Sequence, residues 1–328
     1  MSGRHRIAVS YGLVGGAAAL GCWLTFSDPF ILPHDLPPEL SLAAPQRCVA
    51  VFLVCMALWF TSLIPHAATG LLALALISVL GVLPQDRTLG LFGNQAVFFM
   101  LGVFLLAGAM ISTGLSKRIT FLALQRFDRS PDRLVRGVTL SAAFISLWMP
   151  SYAVAAMIYP ILVEIVAALD LPRGSSYAKK LFLGLAWGAI IGSCGTVLGG
   201  ARAPLALSLL QEAHPDKTIS FAGWMIAAIP VVIVMAVIAV VTLGRRITND
   251  LDDITPATKM LDQCVRRLGP LSSRERRLTG LWMVTIVAWV LFGNTVGIAV
   301  IAMLAAAALF LLRVVDWNAV TGYVNWGV

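Results

Sequence analysis

The 328 residues are 59% hydrophobic and only 12% charged, with a formal net charge of +8. An ordinary soluble domain carries roughly a quarter of its residues as charged side chains, so this composition excludes a soluble globular protein. The basic residues lie in loops between apolar runs rather than on one face of a folded domain, and we therefore predict no nucleic-acid partner.

Hydrophobic runs occupy most of the chain, at 7–26, 47–64, 67–83, 93–114, 134–169, 179–211, 220–243, 278–293 and 295–312. Because a membrane-crossing helix needs ~20 apolar residues, the pattern predicts an all-α polytopic membrane protein. The first run is predicted to be an uncleaved span rather than a signal peptide. Runs 134–169 and 179–211 would each make a straight helix of about 50 Å, which is too long for one simple crossing.

The positions of lysine and arginine predict the orientation, since cytoplasmic loops are enriched in both. With the N-terminus in the cytoplasm, 20 of the 24 basic residues lie on the inner side. The exceptions are Arg47, Arg87, Lys217 and Arg202. This count requires both ends of run 134–169 to face the cytoplasm. We predict a multi-pass protein of a bacterial-type inner membrane, with 134–169 as a re-entrant helical hairpin. The alternative for 134–169 is a kinked core helix with one end wrongly assigned.

Two interruptions of the helices indicate a polar site within the membrane. Pro150, in the middle of run 134–169, breaks a helix because it lacks a backbone donor. Four glycines in residues 192–200 permit an unwound stretch in run 179–211, a discontinuous helix. Lipid cannot satisfy free amides and carbonyls, so such breaks line cavities or are buried in protein. Half-helix N-termini favour anions and unwound carbonyls favour cations, which together indicate a secondary transporter for small anions.

Arg202 follows the glycine-rich stretch, and a charge inside a membrane segment is a functional candidate. We predict that its guanidinium faces the anionic substrate. Two alternatives stay open, namely that Arg202 snorkels to the outer interface or pairs with a structural carboxylate such as Glu164.

Two segments carry a family resemblance: Pro150-Ser151-Tyr152, followed by the alanine-rich stretch 153–160, and the sequence from Gly192 to Thr196. From about residue 47 onward the chain resembles the divalent anion/sodium symporter family of the ion-transporter superfamily. That family typically has Ser-Asn-Thr at its hairpin tip. Here Pro150 offers neither a donor nor a side-chain oxygen, so the coupling ion is left as Na⁺ or H⁺.

The resemblance implies a site, partners and a mechanism. Substrate carboxylate or sulfate would contact Ser151 and Tyr152, with Arg202 beside them. The coupling cation would be held by Pro150, Ser151, Gly192, Ser193, Cys194, Gly195 and Thr196. The resemblance further implies an elevator-like motion and a homodimer formed through scaffold helices, within membrane lipid. We predict no cofactor apart from the coupling ion, no resident metal and no catalytic residue.

A weak internal repeat is also present. Trp59 and Trp289 are 230 residues apart, as are Asp86 and Asp316. In the predicted topology the two segments cross the membrane in opposite directions, which is typical of inverted repeats. Residue 243 ends the first repeat, and the same interval puts the end of the second repeat near residue 473. That position is about 145 residues beyond residue 328. We therefore expect this chain to be a fragment with an incomplete second repeat.

The predicted organisation is 1–115 scaffold helices, 116–133 cytoplasmic basic loop, 134–169 re-entrant hairpin, 179–243 discontinuous helix and following span, 244–277 cytoplasmic linker, and 278–328 start of the second repeat. One alternative function is an arsenite or Na⁺/H⁺ antiporter-like member of the same superfamily. Another is a membrane prenyltransferase-like enzyme, suggested by the aspartates of 249–253. A second aspartate-rich motif is missing, so we predict that the chain is not an enzyme.

Overall fold

Helices make up most of the structure, a computed structural model that describes residues 3–29, 40–127, 130–214, 216–247, 251 and 253–323, with side chains from residue 9 onward. No strand occurs among these residues. Six described segments are long and apolar enough to cross a bilayer: Val9–Phe26, Ala44–Thr61, Gln85–Ser112, Ser151–Ala168, Phe221–Arg246 and Ser273–Leu311. The predicted class, a polytopic all-helical membrane protein, is confirmed. The described chain divides into two units, 3–94 and 95–323.

The first unit contains α1 (Gly3–Phe26), α2 (Ala44–Thr61), α3 (His66–Val79) and α4 (Gln85–Gly90). The last carbonyls of a helix have no partner within it. The buried Gln46 side chain, at the start of α2, donates to the Leu24 carbonyl at 2.6 Å and to Ser27 Oγ at 2.8 Å. Gln46 therefore fixes the end of α1 against the start of α2.

Helices α2 and α3 form an antiparallel hairpin. At its open end the Arg47 guanidinium donates to the Leu80 carbonyl at 2.8 Å. At its turn the Trp59 indole donates to the His66 carbonyl at 3.4 Å.

The second unit contains α5 (Gln95–Ser112), α6 (Leu115–Gln125), α7 (Pro131–Ser146), α8 (Ser151–Ala168), α9 (Ser176–Ser193), α10 (Arg202–Ala213), α11 (Phe221–Arg246), α12 (Thr255–Arg267), α13 (Ser273–Phe292), α14 (Ile298–Leu311) and α15 (Trp317–Thr321). Helix α5 packs closely on α14, because Gly102 has no side chain where it meets Ala302. A Cβ at Gly102 would lie 2.8 Å from the Ala302 backbone.

Helices α13 and α14 also form an antiparallel hairpin, joined by the π-helical turn Gly293–Gly297. At the open end the Arg277 guanidinium donates to the Leu312 carbonyl at 3.1 Å, and at the turn the Trp289 indole donates to the Ile298 carbonyl at 3.0 Å. Gly297 has a φ of 91°, which glycine adopts without strain.

Helices α7 and α9 run side by side in the same direction. Near their starts, Lys180 Nζ lies 2.6 Å from Asp132 Oδ1, and near their ends Ser146 Oγ donates to the Ala189 carbonyl at 2.7 Å. Helix α8 leaves the end of α7, and the chain then enters α9 at its start. Consequently α8 runs antiparallel to both neighbours, and the ends of 131–168 lie at the same end of the unit.

The segment 116–133, predicted as a cytoplasmic basic loop, contains helix among its described residues. The described part of this segment contains most of helix α6 and the first turn of α7. Leu115, Phe121 and Leu124 on α6 are buried, while Lys117 and Arg126 are exposed. An amphipathic helix rich in charge contains too few consecutive apolar residues to register as a hydrophobic run. The linker 244–277 likewise contains a helix, α12.

Candidate functional site

Both interruptions predicted within the long hydrophobic runs exist in the structure. Helix α7 ends at Ser146 and α8 begins at Ser151, which leaves residues 147–150, the hairpin break. Helix α9 ends at Ser193 and α10 begins at Arg202, which leaves residues 194–201, the glycine break. Because α7 and α9 are parallel, the two breaks lie at the same end of this helix pair.

Thr196 connects the two breaks. Its side chain is fully buried, and its hydroxyl donates to the Leu147 carbonyl at 2.5 Å and accepts a bond from the Leu198 amide at 3.1 Å. An unwound segment leaves amides and carbonyls that need partners when they are buried. One threonine hydroxyl thus satisfies a backbone group in each break and fixes their relative position.

Three glycines on α9 bring that helix close to α7. Gly184, Gly188 and Gly192 are spaced four residues apart and so share one face of the helix. A Cβ at Gly188 would lie 2.2 Å from the Thr139 carbonyl oxygen, and one at Gly192 would lie 2.0 Å from that of Ala143. The small-residue spacing typical of close helix pairs in membranes was present in the sequence and would have predicted this contact.

The glycine break is itself tightly folded. A Cβ at Gly199 would lie 2.0 Å from the Ser193 carbonyl oxygen, and one at Gly195 would lie 2.5 Å from Leu147 Cδ2. Gly195 is therefore, beside Thr196, a second point at which the two breaks touch. Two glycines of the predicted cation-binding set, Gly192 and Gly195, thus have a packing role in the structure.

Two further members of the predicted cation-binding set, Pro150 and Ser193, have hydrogen-bond partners within the protein. The Pro150 carbonyl accepts a bond from the Ala153 amide at 2.9 Å, and the Ser193 hydroxyl donates to the Ile190 carbonyl at 2.7 Å.

Cys194 is exposed, and its carbonyl accepts a bond from the Trp224 indole on α11 at 3.2 Å. Sequence reasoning missed Trp224, because nothing in its surroundings on α11 indicates which distant carbonyl it reaches.

The predicted substrate-binding side chains on α8 are accessible. Ser151 is half-buried at the start of the helix, and Tyr152 is 40% exposed with its ring edge against Phe104, centroids 6.0 Å apart. Among the described residues, neither hydroxyl has a hydrogen-bond partner. Both hydroxyls can therefore contact a solute without first breaking a hydrogen bond within the protein.

Arg202 is exposed at the first turn of α10. Within the described part of the chain, no hydrogen bond or ion pair joins it to Ser151, Tyr152 or Glu164. The pairing with Glu164 is therefore not seen. A cation at the positive end of a helix is electrostatically unfavourable, so its position is not explained by helix stability.

Replacing Thr196 by valine should loosen the two breaks, because valine keeps the shape but lacks the hydroxyl that serves Leu147 and Leu198. We expect a loss of about 1–3 kcal/mol in the free energy of unfolding, measured by SDS titration in mixed micelles. Thr285→Val is the matched control, because the buried Thr285 hydroxyl donates only to the Leu281 carbonyl of its own helix. Equal losses in the two variants would contradict a special role for Thr196.

Comparison with known proteins supports the resemblance seen in the two breaks. A family model described as "Sodium:sulfate symporter transmembrane region" matches residues 29–328. The chain belongs to this family, the divalent anion/sodium symporters. The "Sodium-dependent dicarboxylate transporter SdcS" of Staphylococcus saprophyticus is 27% identical over 297 residues, covering 82% of this chain and 57% of that protein. SdcS of Staphylococcus aureus strain RF122 is 27% identical over 327 residues, covering 91% and 61%.

The matching family and both relatives are described as transporters, and none of these descriptions names an enzyme. The chain spans about three fifths of the length of the curated relatives it matches.

In the aspartate-rich segment that suggested a prenyltransferase, Asp250 and Asp252 lie outside the described residues. Asp253 Oδ1 accepts bonds from the Thr255 amide at 2.8 Å and hydroxyl at 2.5 Å, and the hydroxyl and amide bonds hold the pKa of Asp253 below its ordinary value.

Proposed function

We propose that this chain forms one half of the binding site of a sodium-coupled transporter for small dicarboxylates. The observation that carries the proposal is the meeting of the two helix breaks, fixed by Thr196 and Gly195. Irregular backbone at membrane depth is tolerated where it lines a binding cavity, and its oxygens suit a cation. Ser151, Tyr152 and Arg202 supply donors for an anion beside it.

The proposed substrate and coupling ion follow the relatives. Both relatives are named sodium-dependent dicarboxylate transporters, while the family description names sulfate. We propose dicarboxylate as the first substrate to test, because the two relatives with that name match 82% and 91% of this chain. Sulfate is the second substrate to be tested. The proposed location is a bacterial-type inner membrane, with the N-terminus in the cytoplasm.

We propose that α7 and α8 form a re-entrant hairpin. Their antiparallel course supports it, as do the exposed basic residues Arg133 and Arg173 at its two ends. With all five native cysteines replaced, Arg133→Cys and Arg173→Cys should both react with an impermeant maleimide from the cytoplasmic side. Reaction from opposite sides would show that 134–169 crosses the membrane once.

The two helical hairpins, α2–α3 and α13–α14, support an inverted repeat. Arg47 and Arg277 are equivalent at an interval of 230 residues, and each guanidinium donates to the carbonyl that follows its partner helix. Trp59 and Trp289 have the same interval, and each indole donates to the first residue of the next helix. We propose that 44–90 and 273–321 are repeats of opposite membrane orientation.

An elevator-type motion and a homodimer formed through the scaffold helices of 1–115 complete the proposal. The glycine contacts of Gly188 and Gly192 make α7 and α9 one closely packed body. Such a body would move with its half of the site intact.

The Arg202→Gln variant should bind dicarboxylate about tenfold more weakly, because the proposed charge-assisted bonds to a carboxylate are lost. Radiolabelled succinate binding to the protein in nanodiscs measures the change. Arg202→Lys keeps the charge and should lose less affinity. Unchanged succinate affinity in Arg202→Gln would remove this arginine from the site.

The proposed function is tested by counterflow of labelled succinate in proteoliposomes that contain the whole gene product, with and without a sodium gradient. We expect uptake that requires sodium and is blocked by unlabelled dicarboxylate. Sulfate counterflow without succinate counterflow would identify a sulfate transporter. Sodium-independent uptake driven by a proton gradient, or arsenite or Na⁺/H⁺ antiport, would overturn sodium symport.

A further inference from the structure

Five exposed arginines surround the turn between the amphipathic helix α12 and the apolar helix α13. They lie within 12 residues of sequence and are called here the arginine cluster: Arg266, Arg267, Arg274, Arg276 and Arg277. The first two end α12, and the other three begin α13. The cluster therefore stands where a surface helix joins a helix apolar enough to cross a membrane.

The acidic residues near this cluster are already engaged. Glu275 accepts bonds from Arg118 Nε at 2.8 Å and from the Ser272 amide at 2.7 Å. The Asp262 carboxylate accepts a bond from the Gln125 amide at 2.7 Å. None of the five arginines forms an ion pair with another described residue. Their charge is consequently available to an anion from outside the protein.

An exposed apolar stripe begins one turn below Arg276 on the same face of α13. The stripe consists of Gly280, Met283, Val287 and Leu291, at the spacing of three or four residues that aligns side chains on a helix. Met283, Val287 and Leu291 are 58%, 50% and 64% exposed. A Cβ at Gly280 would meet nothing within 4 Å, so the glycine leaves a shallow notch beneath the arginine.

The length of the stripe matches one leaflet of a bilayer. At 1.5 Å per residue, the distance from Gly280 to Leu291 is about 16 Å along the helix. Half of a hydrocarbon core of ~30 Å is nearly the same length. An acyl chain of one leaflet that lies along the stripe would thus place its headgroup at Arg276.

We propose that the arginine cluster and the apolar stripe form a binding site for an anionic phospholipid. The phosphate contacts Arg276 and its neighbours, and one acyl chain follows the stripe past Gly280. A zwitterionic lipid carries an ammonium group that the cluster repels, whereas phosphatidylglycerol does not. Basic clusters beside a membrane helix attract anionic headgroups in this way.

A simpler explanation of the same arginines is that they only orient the chain in the membrane, as cytoplasmic basic residues generally do. That role needs no particular lipid. It also predicts that exposed arginines elsewhere at the same end, such as Arg133 and Arg136, would affect lipid binding as much as the cluster does.

Native mass spectrometry tests the proposal with the chain reconstituted in equal amounts of phosphatidylglycerol and phosphatidylcholine of identical acyl chains. We expect the protein to retain phosphatidylglycerol in preference. Arg276→Gln should reduce that preference about fivefold, and adding Arg274→Gln and Arg277→Gln should remove it. The matched control Arg133→Gln with Arg136→Gln should change it less than about twofold. Arg276→Lys retains the charge and should keep most of the preference.

Three results would overturn the proposal. The first is equal retention of the two lipids by the unmodified chain. The second is a loss of the phosphatidylglycerol preference in the control variant equal to that in the cluster variant. The third is displacement of the lipid by free glycerol 3-phosphate at the lipid's own concentration. The last result would show that the arginines bind phosphate without help from the stripe. The measurement on the unmodified chain decides the question even where a variant fails to fold.

Discussion

The Gly192→Ala variant is expected to lose the native contact between α7 and α9, and with it the proposed sodium site. The new Cβ would lie 2.0 Å from the Ala143 carbonyl oxygen, a backbone atom that cannot rotate away. Real Cβ contacts are ordinarily at 3.4 Å or more, so the helices must separate by over an ångström. Overpacking of this kind costs about 3 kcal/mol or more where the backbone must shift.

SDS titration in mixed micelles measures the loss in the free energy of unfolding, and radiolabelled sodium binding in nanodiscs measures the site. The matched control is Gly200→Ala, because Gly200 lies in the same glycine break and a Cβ there meets nothing within 4 Å. We expect Gly200→Ala to fold and bind sodium as the unmodified chain does. If Gly192→Ala kept both its stability and sodium binding, the close helix contact would not be what holds the breaks together.

The sequence located the interruptions because proline and glycine act on the backbone locally. Pro150 cannot donate a helical hydrogen bond, and the glycines of 192–200 destabilise helix wherever they occur in water or lipid. Both effects depend only on the residues concerned. The structure accordingly ends α7 at Ser146 and α9 at Ser193, within a few residues of the predicted points.

The contacts between the breaks could not be predicted in the same way. That Thr196 reaches Leu147, and that Trp224 reaches the Cys194 carbonyl, depends on how separate helices pack. A threonine or tryptophan offers its donor to any carbonyl within reach, and sequence does not say which one is near. Gly188 and Gly192 were the exception, since their spacing indicates a close helix contact without naming the partner.

The helix within the predicted loop 116–133 was missed for a different reason. The search for apolar runs finds segments solvated by lipid, whereas α6 and α12 carry their apolar residues on one face only. Phe121 on α6 and Leu261 on α12 are buried among residues that otherwise look like a solvated loop. The helical period of the apolar positions, rather than their density, is the signal that identifies such segments.

The Arg118→Gln variant is expected to lose about 3–5 kcal/mol of stability, because it leaves the buried Glu275 carboxylate without its charged partner. The side chains of Arg118 and Glu275 are only 12% and 6% exposed, so solvent cannot replace the bond well. The guanidinium also donates to the carbonyls of Leu268, at 2.8 Å, and Gly269, at 2.8 Å, where α12 ends. One side chain on α6 thus joins the end of α12 to the start of α13.

A double-mutant cycle with Glu275→Gln separates the ion pair from the carbonyl bonds. SDS titration gives the free energy of unfolding of each single variant and of the double variant. The coupling energy between Arg118 and Glu275 should exceed about 1 kcal/mol, as for residues in one network. Arg126→Gln removes the same charge from the exposed residue that follows the same helix and should cost under about 0.5 kcal/mol. If that control cost as much as Arg118→Gln, net charge rather than the buried contacts would account for the loss. If the cycle showed no coupling, the carbonyls of the α12–α13 turn would be the partners that make Arg118 necessary.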